Sequence, residues 1–200
     1  MAKLTIGGKP VNTNGALPET GKKAPDFLLT RTDLTDISLK DVAGKKVVLN
    51  IFPSIDTPVC SASVRRFNQE ISNFPGAVVL CASMDLPFAH ARFCETEGLK
   101  DVIAVSEMRS RKFGDDYGLR MVDGPLAGLL ARAVIVMDNA GKVIYSKIVE
   151  ELKNEPDYQE VLSVLQSGSE HRLDVCTKSG TAEHSRTKNS DEPCDDGRSG

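Results

Sequence analysis

Three short apolar runs frame the chain: Lys46-Val47-Val48-Leu49-Asn50-Ile51-Phe52, Ala77-Val78-Val79-Leu80-Cys81-Ala82-Ser83 and Val102-Ile103-Ala104-Val105. Each is rich in β-branched or aliphatic residues without polar alternation, the pattern of a strand covered on both faces. Between the first two, Cys60, Val64, Phe67, Ile71 and Phe74 recur at spacings of 4, 3, 4 and 3. That is one face of an amphipathic helix, expected to end at Pro75-Gly76. A helical crossover makes the strands on either side of it parallel.

The remaining elements follow the same logic. Leu4, Ile6 and Val11 around Gly7-Gly8-Lys9-Pro10 suggest a hairpin, Phe27 to Thr30 a short strand, and Asp36 to Val42 a strand end running into a turn closed by Gly44. A second helix is expected with Asp85 as its cap, Pro87 in its first turn and its end near Gly98; it carries Phe88, His90, Phe93 and Cys94. Arg109 to Tyr117 reads as a third helix, stopped by Gly118, and residues 120–130 as a loop. Ala131 to Met137 and Lys142 to Ile148 are strands joined by Asp138-Asn139-Ala140-Gly141, a hairpin signature. Pro156 opens a last helix whose apolar positions are Val161, Leu162 and Leu165.

Composition narrows the class. Two hundred residues suggest one domain with room for a substantial core. A formal charge of −3 leaves no footprint for nucleic acid or an anionic membrane. No apolar run approaches a membrane span, and the first residues lack a signal peptide's continuous apolar region, so a cytoplasmic protein is expected. From Ser167 onward the apolar residues are Leu173, Val175, Cys176, Ala182 and Cys194 among many charges. The reading is therefore a folded domain over residues 1–166 and a disordered tail over 167–200.

The five cysteines are Cys60, Cys81, Cys94, Cys176 and Cys194. Their odd number and wide spacing, with no Cys-x-x-Cys, argue against a zinc knuckle or a paired redox motif, and neither metal nor cofactor is expected. Cys81 lies inside a buried run and reads as core. Cys60 is different. Pro53 stops the strand before it, and Pro58 suits the first helical position. Thr57 is then the N-cap, its hydroxyl placed to accept from the Cys60 N–H. A thiol in the first turn meets unpaired N–H groups and the positive end of the helix dipole, which favour the thiolate. The competing reading is a core cysteine on the apolar stripe.

The pattern Pro53-x-x-x-Thr57-x-x-Cys60 resembles the active-site motif of peroxiredoxins. The wider string Asn50-Ile51-Phe52-Pro53-Ser54-Ile55-Asp56-Thr57, with Val59-Cys60, resembles their thiol peroxidase branch, and the resemblance runs from about Lys3 to Gln166. The alternation of strands and helices suits a thioredoxin-like α/β sandwich, and the resemblance implies that fold with an N-terminal β-hairpin. It implies thiol-dependent reduction of hydrogen peroxide and organic (lipid) hydroperoxides, with Cys60 as the peroxidatic thiol and Pro53 and Thr57 shaping its pocket. Arg132, which opens an otherwise apolar strand and by itself needs either a partner or solvent, matches the family's active-site arginine. Cys94, within Arg92-Phe93-Cys94, matches a resolving cysteine. The implied cycle runs through a Cys60 sulfenic acid and an intrachain Cys60–Cys94 disulfide, recycled by thioredoxin, in a homodimer. Two rivals stand beside it. A cysteine hydrolase needs a histidine, and His90, which reads as a surface residue, supplies too little with Cys94 four residues on. The other is a catalytically silent thioredoxin-fold binding module.

Overall fold

The computed structural model describes residues 2–170. The charged tail assigned from composition lies outside the described residues from position 171 onward.

The strands are β1 (Lys3–Ile6), β2 (Lys9–Asn12), β3 (Leu28–Arg31), β4 (Asp36–Ser38), β5 (Lys46–Ile51), β6 (Ala77–Ser83), β7 (Val102–Ser106), β8 (Ala133–Met137) and β9 (Val143–Ile148). The helices are α1 (Pro58–Ile71), α2 (Pro87–Glu97), α3 (Lys112–Asp116) and α4 (Tyr158–Glu170), with a 3-10 turn over Leu39–Val42. β1 and β2 pair as the expected antiparallel hairpin; the other strands form one sheet in the order β4-β3-β7-β6-β5-β8-β9. β5, β6 and β7 are parallel, the first two with α1 as crossover, whereas β8 runs antiparallel to β5. This is the thioredoxin-like α/β arrangement that the strand and helix order suggested.

Alternation along β5 divides the core. Val47, Leu49 and Ile51 join Phe27, Leu80, Phe113, Tyr117 and Ile135 on one face. Val48 and Phe52 join Cys60, Val64, Phe67, Cys81, Val134 and Leu165 on the other. This is the period-two geometry of a strand with both sides buried. Cys81 is fully buried in β6, and burial pushes its thiol up to about 12, against the weaker opposing effect of Asn50, whose amide approaches the sulfur at 3.6 Å.

Several boundaries differ from the sequence expectation. α1 ends at Ile71 rather than at Pro75-Gly76, so Phe74 packs from the turn that follows. α3 is shorter than Arg109–Tyr117, because Arg111 already sits at its N-cap and Tyr117 at its C-cap. α4 starts two residues beyond Pro156 and continues to Glu170, past Gln166. α2 does end at Gly98, whose φ of 65° is the left-handed conformation that glycine adopts without a Cβ penalty. The 120–130 loop is tied down by Arg120, which bridges Glu107 and Asp115 and donates to the carbonyls of Arg111 and Gly128.

Candidate active site

Sheet register decides what meets what. Because β5 and β8 are antiparallel with Ile51 opposite Ala133, the residues just after β5 and just before β8 lie at the same end of the sheet. Those residues are Phe52-Pro53 and Arg132, far apart in sequence. Pro53 is buried where the chain leaves the ladder, and the loop beyond it turns back through a Thr57 N–H to Ser54 carbonyl bond of 3.2 Å. Thr57 is extended at the N-cap and Pro58 takes the first helical position.

Cys60 is fully buried, and two donors converge on its sulfur. The Thr57 hydroxyl lies 2.6 Å away and Arg132 Nη2 3.3 Å away. The expected cap, with the Thr57 hydroxyl accepting from the Cys60 N–H, is not formed. The first turn is closed instead by the Ser61 N–H on the Thr57 carbonyl at 3.0 Å. That leaves the hydroxyl turned toward sulfur, with the Ser54 carbonyl at 3.1 Å as its other acceptor.

Arg132 is 2% exposed. Its Nε and Nη2 both donate to the Leu152 carbonyl at 3.2 Å. Among the described residues Nη1 has no acceptor, and no carboxylate pairs with this buried cation. A buried guanidinium with a carbonyl and a sulfur for company calls for an anion at that sulfur and an acceptor at Nη1.

The Leu152 carbonyl is itself held by the N-terminal hairpin. The Leu152 N–H donates to the Thr5 carbonyl at 2.9 Å, and the Glu151 carboxylate accepts from the N–H groups of Gly7 and Gly8 at 2.9 and 3.0 Å and from the Thr5 hydroxyl at 2.9 Å. The two glycine N–H groups draw the Glu151 carboxyl down to about 2. Its folded value lies below the ordinary 4.5, so its contribution is complete above about 4.5 and disappears as pH falls toward 2. The Gly7 and Gly8 amide resonances should therefore titrate with a midpoint near 2, and Glu151→Gln should abolish that titration.

Cys94 is not brought to Cys60. Both are free thiols, and Cys94 is half-buried on α2, where burial and then Glu95 raise its pKa. It opens on a cavity of about 260 Å³ with Arg31, Asp33 and Lys100 among its walls, and Cys60 is not one of them. His90, which the sequence alone places on the surface, is fully buried, and burial lowers its pKa. Its Nε2 lies 2.9 Å from the Ser83 hydroxyl, so it forms no dyad with Cys94. Asp85 does not cap α2 either. Leu86 takes that place, extended at ψ 148° as a residue before proline tends to be, and the Asp85 carboxylate turns to the Cys60 loop. The Leu152 carbonyl had no sequence signal, since a backbone oxygen carries none; Asp85 had one, its place before Leu86-Pro87, but the wrong role was read from it. Among the described residues no His, Cys, Asp or Glu cluster suits a metal ion.

Known proteins share this sequence and fold. The Redoxin family pattern matches residues 19–162. A thiol peroxidase of Mycobacterium bovis is 50% identical over 165 residues, covering 82% of this chain and 99% of that protein. Among solved structures, a peroxiredoxin-like protein from Aquifex aeolicus superposes with a TM-score of 0.79 at 34% identity, over 84% of this chain and 97% of the other. A thiol peroxidase from Chromobacterium violaceum, at 24% identity, shares the fold with a TM-score of 0.76 over 84% of this chain and 98% of its own. With its Redoxin domain and a half-identical relative matched almost end to end, the chain belongs to the thiol peroxidase family of peroxiredoxins.

Proposed function

We infer that the chain reduces hydrogen peroxide and organic hydroperoxides, lipid hydroperoxides included, through a Cys60 sulfenic acid and an intrachain Cys60–Cys94 disulfide that thioredoxin reopens. The observation that carries this reading is the buried Arg132, with Nη2 on the Cys60 sulfur and Nη1 without an acceptor among the described residues. A thiolate supplies the counter-charge that the guanidinium lacks. A peroxide oxygen supplies the acceptor.

The sulfur attacks one peroxide oxygen and the O–O bond breaks. The departing oxygen takes the electron pair and a proton, leaving as alcohol or water, while Cys60 becomes S–OH. The developing negative charge falls among preorganised donors, the Arg132 guanidinium and the Thr57 hydroxyl. Pro53, buried where the chain leaves β5, fixes the start of the loop that carries Thr57. In the second step the Cys94 thiolate attacks the Cys60 sulfur, water leaves and a disulfide forms; a dithiol reductant exchanges with it and is itself oxidised.

The second step needs movement, because a disulfide tolerates a narrow range of Cα separation. α2 is the element suited to move. It buries Pro87 and His90, against six buried residues in α1. Its tie to the Cys60 loop through the exposed Arg92–Asp56 pair is of a class that contributes little, while the bidentate Arg65–Glu97 pair to α1 sits at the far, C-terminal end of α2. Opening also removes the burial that holds the Cys94 thiol protonated. Leu86 and Phe88, exposed at the start of α2, offer an apolar surface consistent with homodimer formation.

Mass spectrometry under non-reducing conditions, after one equivalent of hydrogen peroxide, should find Cys60 joined to Cys94 within one chain. Cys94→Ser should oxidise once at the unmodified rate and then lose thioredoxin-dependent turnover. Full turnover in Cys94→Ser would remove Cys94 from the cycle. A chain that consumes no hydroperoxide at all would favour the silent binding module.

A further inference from the structure

The turn between β6 and α2 holds a carboxylate that the peroxide chemistry leaves unused. Asp85 Oδ2 accepts from the Ile55 N–H at 2.7 Å and from the Ser83 hydroxyl at 2.6 Å, and Oδ1 accepts from the Ser54 hydroxyl at 2.8 Å. Ser83 Oγ in turn accepts from the Asp85 N–H at 3.1 Å. Because the Ser83 proton goes to Asp85, the nearby His90 Nε2 must be the donor to Ser83. His90 is the buried polar residue of α2, and its ring meets Phe52 edge-on at 6.2 Å between centroids. One hydrogen-bonded chain thus runs from inside α2 through Asp85 to Ser54 and Ile55. It does not stop there: the Ser54 carbonyl receives the Thr57 N–H, and the Thr57 hydroxyl rests on the Cys60 sulfur.

We propose that Asp85 is a positioning residue for the peroxide step and the link through which the Cys60 loop and the Cys94 helix open together. The second half rests on the reading of Cys94 as the resolving thiol; the first does not. While both segments are folded, the carboxylate has three donors from the loop and from β6. Displacing the loop strips this half-buried carboxylate of Ile55 and Ser54, and displacing α2 takes His90 from Ser83 and pulls on the turn that carries Asp85, so the two openings are coupled. Removing the carboxylate has opposite effects on the two steps. Ser54 and Ile55 lose their anchor, the Thr57 hydroxyl moves off the sulfur, and oxidation slows. α2 loses one of its ties to the loop, Cys94 is released more readily, and disulfide formation quickens.

Stopped-flow kinetics on the full reduced chain separate the two steps. Asp85→Ala should slow Cys60 oxidation by hydrogen peroxide between about 10- and 100-fold, the range expected of a misplacement near 1 Å. The same variant should speed the later disulfide step several-fold. Asp85→Asn keeps one acceptor for the Ile55 N–H and should fall between it and the unmodified chain. Should Asp85→Ala fail to fold, Ser54→Ala removes one of the three donors and should move both rates in the same two directions by less. Rates that fall together in proportion to lost thermal stability would overturn the proposal, as would two unchanged rates. If the unmodified chain forms no Cys60–Cys94 disulfide, the reading of Cys94 fails instead, and the oxidation rate alone decides for or against Asp85 as a positioning residue.

Discussion

Peroxide consumption should vanish in Cys60→Ser while single-turnover oxidation persists in Cys81→Ser and Cys94→Ser. In Cys60→Ser a hydroxyl oxygen would sit where the sulfur does, within reach of Thr57 and Arg132, but an alcohol has no accessible anionic form at neutral pH and cannot cycle through a sulfenic acid. The loss should be complete rather than partial, because the reaction is built on one sulfur atom. Circular dichroism should show an unchanged fold. Stopped-flow consumption of hydrogen peroxide, with one equivalent of reduced protein, is the measurement. A residual rate in Cys60→Ser near that of the unmodified chain would move the chemistry to another thiol.

Arg132→Lys should slow the same step about 10²–10³-fold, the range seen when one preorganised donor to a developing charge is lost. Lysine keeps the charge and loses the geometry. One ammonium cannot hold the Leu152 carbonyl along two directions, reach the sulfur and still present a further in-plane N–H, as the guanidinium does. Arg132→Met makes the complementary point. It should lose at least as much rate, and thermal stability should fall as well, since the Leu152 carbonyl loses both of the N–H groups that Arg132 gives it. An Arg132→Lys chain with undiminished oxidation would show that Nη1 plays no part in binding peroxide.

The strands and the sulfur-bearing helix were legible because burial on both faces writes itself into composition. Val47 to Ile51 and Ala133 to Met137 could hardly be anything but central strands, and prolines bracket the Cys60 loop. What sequence left hidden was direction of hydrogen bonding. Thr57 was placed correctly at the N-cap, yet a hydroxyl there can serve the backbone or the sulfur, and local pattern does not distinguish them. Asp85 shows the same gap more sharply, since an acidic residue before Leu86-Pro87 reads as a cap until the loop from β5 arrives beside it. His90 looked like a surface residue on a weakly amphipathic helix. Its burial is set by Phe52 and Ser83, which lie on other elements. Arg132 needed the antiparallel pairing of β5 and β8, a long-range choice that no short window of residues contains.

Cys81 gives the fold a built-in gauge of how far it opens. A thiol reagent needs an exposed thiolate, and this thiol is sealed in the central sheet with its proton held up to about 12. In a chain whose other cysteines are serine, labelling at Cys81 therefore waits for the sheet itself to separate, and its rate measures global unfolding under native conditions. Cys94, on a helix with two buried side chains, is labelled whenever that helix loosens. The same reagent, applied to two single-cysteine chains, would read the highest and one of the lower rungs of the molecule's ladder of openings.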